Sequence, residues 1–271
     1  MQIALKVLNL WSGRGGASYK GAIRALYTHG GTMAGFLKKM AVGLMTKGVS
    51  PPERSFERLY ELIHLKQLLS ALNINCVIDV GANRGGFVND IRTIGYRGRL
   101  ISFEPLQKEF EYISHRFSSD SNWQGYQMAL GKEKKIMKIH VYEESVYSSF
   151  LESSNNEKEI GYQEVQVNRL DDIFPTLAQG IDTPKVFLKM DTQGFDLEVF
   201  NGASGCLDYI QGIQSEISIQ PIYKGMPHYL EALQAYESAG FELFNISTVS
   251  RMENGGLIEM NCFMKRKSPK Q

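Results

Sequence analysis

Four acids stand at or near the ends of short apolar runs: Asp79 in "CVIDV", Glu104 in "RLISFEP", Asp191 in "VFLKMD" and Glu216 in "IQSEIS". Asp79 lies two positions before a turn of small residues, "GANRGG". A carboxylate there would repel a pyrophosphate and suits a ligand carrying an ammonium group. The turn also fails as a dinucleotide fingerprint. GxGxxG would need glycine where Asn83 stands, and the asparagine side chain would obstruct the backbone's approach to the phosphates. No GxxxxGK[ST] loop is present, and "GRGGAS" at Gly13 follows no convincing strand and reads as loop. Glu104 falls about twenty residues beyond the turn, where a carboxylate can accept both hydroxyls of a ribose. The next run, "QMALG", offers Met128 and Ala129 as small or apolar contacts to a purine. An ammonium, a ribose and a purine together describe S-adenosyl-L-methionine. The candidate cofactor contacts are Asp79, Gly81, Ala82, Asn83, Gly85 and Phe87 from the first turn, and Glu104 and Pro105 from the second run. Met128 and Ala129 follow from the third, with Asp191 at the methionine end. Gly81 and Gly85 also read as a turn that needs unusual φ/ψ, and Glu104 as an exposed strand-end charge.

Methyl transfer from a sulfonium needs an acceptor aligned at about 3 Å and a route for its proton. Asp191 is the leading candidate to orient the acceptor or take that proton; its other reading is a cap on the helix starting near Phe195. Lys189 alternates with Met190 and so shares a face with Asp191, as a direct participant or as an ion-pair partner. Glu216 qualifies by its place at a strand end. His228, after "YKGMP", suits base work near neutral pH, or is a helix-start histidine facing water. Ser148 and Ser149 either hydrogen-bond the acceptor or form a polar turn. Asp196 reads as a first-turn acid, and Asp171 and Asp172 as caps of a short helix. The histidines form neither HxxxH nor HExxH, so no metal site is expected.

These residues need a scaffold that brings strand ends together. From Cys76 onward, short apolar runs alternate with helical patterns, which argues for a mainly parallel sheet covered on both faces. "KKIMKIHVYE" and "QEVQVNRL" flank a polar stretch and read as a hairpin. "FELFNIS" and "IEMNCFMKR" have no helix between them and read as an antiparallel pair at one edge. "SFERLYELIHLKQLLSALN" reads as a long amphipathic helix, with Ser55 as its cap and Leu59, Leu62, Ile63, Lys66 and Leu69 on one face. Ahead of it, "KGVSPPERS" reads as a linker. The organisation expected is a basic helical extension over 1–52, a catalytic domain over 53–267 and a frayed tail over 268–271.

Composition narrows the class further. The 271 residues are 43% hydrophobic and carry a net charge of +1. Seven basic residues and no acid precede Glu53, leaving 23 basic against 29 acidic residues in the remainder. A nucleic-acid substrate is therefore disfavoured, and no [DN]PP[YF] segment offers an aromatic to stack on a flipped base. The basic segment leaves three readings open: peripheral contact with an anionic membrane, an oligomerisation arm, or a cap over the site. Three isolated cysteines read as buried, reduced thiols. The opening "MQIALKVLNLWSGRGG" makes a poor secretion signal, and the expected location is the cytoplasm.

Several pieces together resemble the FkbM family of S-adenosylmethionine-dependent methyltransferases: "VIDVGANRGGF", "SFEP", "QMALG", the "SSF" after the hairpin strand, "VNRLDDI" and "KMDTQGFDLEVFNGA". The first two are generic to Rossmann-like methyltransferases; the last, with "VNRLDD" upstream, is specific. The resemblance spans roughly residues 75–265. It implies an α/β, Rossmann-like class I methyltransferase fold with an antiparallel edge and a β-hairpin insertion. It also implies methyl transfer to a hydroxyl oxygen, commonly on a sugar, glycolipid or polyketide-like product. The chain departs from the family at Gln193, where glutamate is frequent. That leaves one carboxylate fewer and weakens any scheme using position 193 as base or metal ligand. The competing readings are a cofactor-binding module without catalysis and, less favoured, a nucleic-acid methyltransferase.

Overall fold

The computed structural model describes residues 53–155 and 157–267, so the expectations for the extension over 1–52 and for the tail lie outside the described residues. The described residues open with helix α1 (Glu53–Ala71) and continue as β1 (Cys76–Val80), α2 (Gly86–Thr93), β2 (Arg99–Phe103), α3 (Gln107–Arg116) and β3 (Trp123–Tyr126). An excursion follows: β4 (Ala129–Leu130), β5 (Lys135–Tyr142) and β6 (Glu159–Asn168). The chain then returns through α4 (Leu170–Leu177), β7 (Val186–Met190), α5 (Asp196–Asn201), β8 (Ile210–Ser218), α6 (Tyr229–Ser238), β9 (Phe241–Arg251) and β10 (Leu257–Arg266).

The main sheet runs β3-β2-β1-β7-β8-β10-β9. Its first five strands are parallel, and β10 runs antiparallel to both neighbours. The antiparallel edge and the hairpin insertion expected from the sequence are both present. Strand order reverses between β1 and β7, which creates the crevice where open α/β sheets take ligands. β1 and β7 are buried along their whole length because helices cover both faces, so neither shows a period of two. One core gathers Ile78, Ile101, Leu188 and Ile213; the opposite face packs Val77, Leu100 and Phe187 under Leu65 and Leu68 of α1.

Three expectations need correction. α1 reaches back to Glu53, so Ser55 lies inside the helix rather than capping it. Its inward face is centred on Glu61, Leu65 and Leu68, while Leu59 and Ile63 are exposed. Glu61 is drawn in by hydrogen bonds from Ser247 Oγ (2.6 Å) and Asn261 Nδ2 (3.1 Å), which turns Leu59 and Ile63 outward. The third strand, "WQGYQMALG", divides. β3 stays in the main sheet, and Ala129–Leu130 leave it to pair with Val167–Asn168 in the second sheet, ordered β4-β6-β5. The three cysteines are free and buried, as their spacing suggested, and burial pushes each thiol up to about 12.

Candidate active site

Parallel pairing places Ser102, Asp79, Lys189 and Gln214 side by side across β2, β1, β7 and β8. All four side chains are buried on the face covered by α1 and α2. The expected ammonium partner of Asp79 proves to be internal. Lys189 Nζ lies 2.9 Å from Asp79 Oδ1 and 3.4 Å from Asp191 Oδ2, and it donates to the Gly81 carbonyl at 3.2 Å. Phe87 covers the same ammonium, its ring centroid 5.4 Å away. Burial alone would lower the lysine's pKa, but Asp79 and Asp191 outweigh it and hold Lys189 above the ordinary range. Asp79 is thus paired within the chain, and burial raises its carboxyl against the pull of Lys189.

The turn after β1 is tied to its surroundings by backbone. Gly81 N and Ala82 N both donate to Phe103 O, at 3.0 and 3.1 Å. Gly81 has φ +76°, and a Cβ on it would meet the Asp191 carbonyl oxygen at 2.0 Å. That close approach, rather than a phosphate, is what the glycine allows. Gly85 opens α2 in the left-handed region, and a Cβ there would strike Phe117 and Ile113. Asn83, with φ +45°, donates from Nδ2 to Ser145 Oγ (3.2 Å).

Glu104 joins two loops. Its Oε2 accepts from Asn83 N (2.7 Å) and its Oε1 from Leu106 N (2.9 Å). The residue is 4% exposed, and burial raises its carboxyl to about 7 against the pull of those two amides. It is no exposed strand-end charge, yet each oxygen keeps a lone pair. Pro105 is half-buried, and its carbonyl accepts from Gln163 Nε2. Met128 is half-buried, its sulfur accepting from Asn168 Nδ2. Ala129 packs with Leu106, Ile139 and Val165 beneath the second sheet, which removes it from a purine-facing position.

Asp191 and Glu216 do meet, through the side chain of Gln193. Gln193 Nε2 donates to Asp191 Oδ1 (3.2 Å) and to Glu216 Oε2 (2.9 Å), and its Oε1 accepts from Tyr223 OH (2.7 Å). The Asp191 side chain is 40% exposed and is the open member of the cluster. Burial works against its charge, but Lys189, Glu216 and Gln193 outweigh it and hold the carboxyl below the usual range. Burial, then the neighbouring Asp191, hold Glu216 well above its ordinary value. Asp191 caps no helix. Asp196 anchors the loop instead, accepting from Thr192 N and Ser215 Oγ at 2.8 Å and from Glu216 N at 3.0 Å. It is a first-turn acid of α5, as expected, and is buried as a hub for the loop.

The remaining candidates take structural roles. His228 is exposed and caps α6, Nδ1 accepting from Leu230 N at 3.4 Å, so the helix-start reading replaces the base. Ser149 is buried and donates to the Gln193 carbonyl (2.7 Å). Ser148 Oγ accepts from Tyr142 N. Asp171 binds Gly205 N and Arg169 rather than capping its own helix. Tyr223 had no signal in the sequence, since it lies in a loop without periodicity.

A methyltransferase FkbM domain model matches residues 79–243, which include the glycine turn, Glu104 and the Asp191–Glu216 cluster. The chain belongs to the FkbM methyltransferase family. No curated protein sequence matches it. Among solved structures, a putative methyltransferase from Thermobifida fusca is similar at 10% identity and TM-score 0.45, over 80% of this chain and 82% of that one. Magnesium protoporphyrin IX methyltransferase from Synechocystis, with bound S-adenosylmethionine, is similar at 9% identity and TM-score 0.44, over 78% and 81%. Aeropyrum pernix fibrillarin, also with bound S-adenosylmethionine, is similar at 11% identity and TM-score 0.42, over 70% of this chain and 66% of that one. The FkbM assignment rests on the domain match. The donor set at the crevice suits a ligand with a diol at one end and a cation at the other. Glu104 offers free lone pairs beside the β1 turn, and Asp191 offers an open carboxylate at the end of β7.

Proposed function

We propose that this FkbM protein is an O-methyltransferase, moving a methyl group from S-adenosylmethionine to a hydroxyl of a sugar, glycolipid or related natural product. The observation that carries the reading is the partly open Asp191 carboxylate at the strand-order switch, held charged between Lys189 and Gln193. When bound, S-adenosylmethionine supplies an electrophilic methyl on a sulfonium. Glu104 would hold the ribose, and Asp191 the cationic end. Asp191 also accepts a hydrogen bond from the incoming hydroxyl and so aligns its oxygen. A net-acidic catalytic region and a cluster of buried acids favour a neutral small molecule or glycan over a nucleic acid as acceptor. Among the described residues no helix is long and apolar enough to cross a membrane.

Calorimetric titration with S-adenosylmethionine and S-adenosylhomocysteine tests the reading. Micromolar binding is expected, weakened by roughly 10- to 100-fold in Glu104→Ala, the range for losing hydrogen bonds to a charged group. A melting curve on the variant separates lost contacts from lost fold. Binding of NAD instead, with no response to either sulfur compound, would overturn the assignment. Hydroxylated acceptors would then be screened for methyl uptake, and transfer to nitrogen or carbon alone would overturn the O-methyl part.

A further inference from the structure

Among the described residues, the carboxyl pair at the centre of the site has fewer cations than acids around it. Six titratable groups face it: Lys189 on β7, Asp79 on β1, Asp196 on α5, Glu259 on β10, Arg58 on α1 at longer range, and the Tyr223 phenol. Among the described residues, Lys189 is the one cation within ion-pair distance of the pair, and its shorter contact is to Asp79. Asp79 and Asp191 thus share that lysine, while Glu216 and Glu259 have no ion-pair partner among the described residues. Carboxylates crowded this way do not all ionise.

We propose that Asp191 and Glu216 hold one proton between them, and that Gln193 is the positioning residue that keeps the pair in that state. The amide has the chemistry for this. Its two N–H groups reach one oxygen of each carboxyl, at 3.2 and 2.9 Å. Tyr223 OH fixes the other end of the amide, with the Tyr147 carbonyl 2.9 Å away as a second acceptor. Ser149 Oγ holds the Gln193 carbonyl, in a residue whose φ is +54°. A glutamate at 193 would add another acid and call for a second proton or a cation. Burial and the adjacent Asp191 place the proton on Glu216, so Asp191 remains the open base.

In the methyl-transfer reading, on which the use of the pair rests, the balance is simple. The sulfonium S–C bond breaks and the O–C bond forms. The acceptor's O–H bond breaks and its proton goes to Asp191, which returns it to water through its exposed side.

Infrared difference spectroscopy on the full chain, in chelator-treated buffer, tests the proton directly. Well above the pH of about 7 at which Glu104 is half-ionised, a protonated-carboxyl stretch is expected that disappears in Glu216→Gln. A stretch lost in neither Glu216→Gln nor Asp191→Asn overturns the proposal. Gln193→Leu should move the stretch's titration midpoint by about one pH unit, a tenfold change in proton affinity. A purely structural glutamine would leave it in place. Gln193→Glu should add a second protonated carboxyl at neutral pH, and three ionised acids there would overturn the charge argument. Calorimetry separates the two readings. S-adenosylmethionine binding without the stretch rejects the shared proton alone, and the stretch without binding rejects the cofactor assignment alone.

Discussion

Glu104 carries a pH dependence that belongs to the residue rather than the fold. Its carboxyl is raised to about 7, so the free protein is half-protonated there near neutrality. A ribose diol donates hydrogen bonds and favours the ionised form. Cofactor affinity should therefore rise with pH and level off above about 7, with a proton released on binding below that. Isothermal titration in buffers of different ionisation enthalpy measures both, and an affinity flat across this range would count against Glu104 as the ribose acceptor. Stability runs the other way. A folded pKa above the unfolded one gives stabilisation that is present below the unfolded value and lost as pH rises through about 7, roughly 3 kcal/mol at most. Lys189 makes a different prediction. Lys189→Met leaves Asp79 fully buried without its counter-ion and should cost about 3–5 kcal/mol in urea unfolding. Adding Asp79→Asn should recover most of that loss. If the double variant unfolds as readily as the single one, the pair is not what Lys189 contributes.

The elements bring these residues together by close backbone approach and by one strap of chain. Gly81 lets the ends of β1 and β7 touch, and Gly81→Ala would force a Cβ against the Asp191 carbonyl in a left-handed backbone. Overpacking of this kind costs roughly 1–3 kcal/mol, or about 2–4 °C of melting temperature per kcal/mol in a domain of this size. A melting curve unchanged by that substitution would mean the two strand ends are free to separate. The segment between β5 and β6 closes the crevice from the other side. Ser145 meets Asn83, Ser149 meets Gln193, Ser154 N donates to Ile222 O, and Lys224 N donates to Glu152 O. Much of this scaffold was legible in the sequence because β1, β7 and β8 are bounded by turn residues and Gly81 and Gly85 mark the turn. The roles of single side chains were less so. Asp79 read as a ligand for an incoming ammonium because its internal partner, Lys189, is 110 residues away and becomes adjacent only through parallel pairing. Leu59 and Ile63 read as core because helical periodicity cannot see that Glu61 has partners on β9 and β10. Ala129 read as part of β3 because no local signal marks a strand changing sheets.

On the scale of the whole molecule, charge and architecture divide at nearly the same place. The described residues from Glu57 onward belong to one compact unit, and the strand-order switch, both loops tied by Glu104 and the carboxyl pair all lie within it. The ion pairs of Lys189 with Asp79 and Asp191 also lie within that unit. Removing residues 1–50 should therefore leave affinity for S-adenosylmethionine within about threefold, less than 1 kcal/mol. The same truncation should change where the protein goes. If the basic segment meets an anionic surface, each lysine or arginine near that surface contributes about 1 kcal/mol. Full-length protein would then sediment with phosphatidylserine vesicles at low salt and release at high salt, while the truncated form stays in solution. Equal cofactor binding with unequal sedimentation assigns the segment to localisation. Loss of cofactor binding on truncation, in a protein that still melts cooperatively, would make the segment part of the site instead.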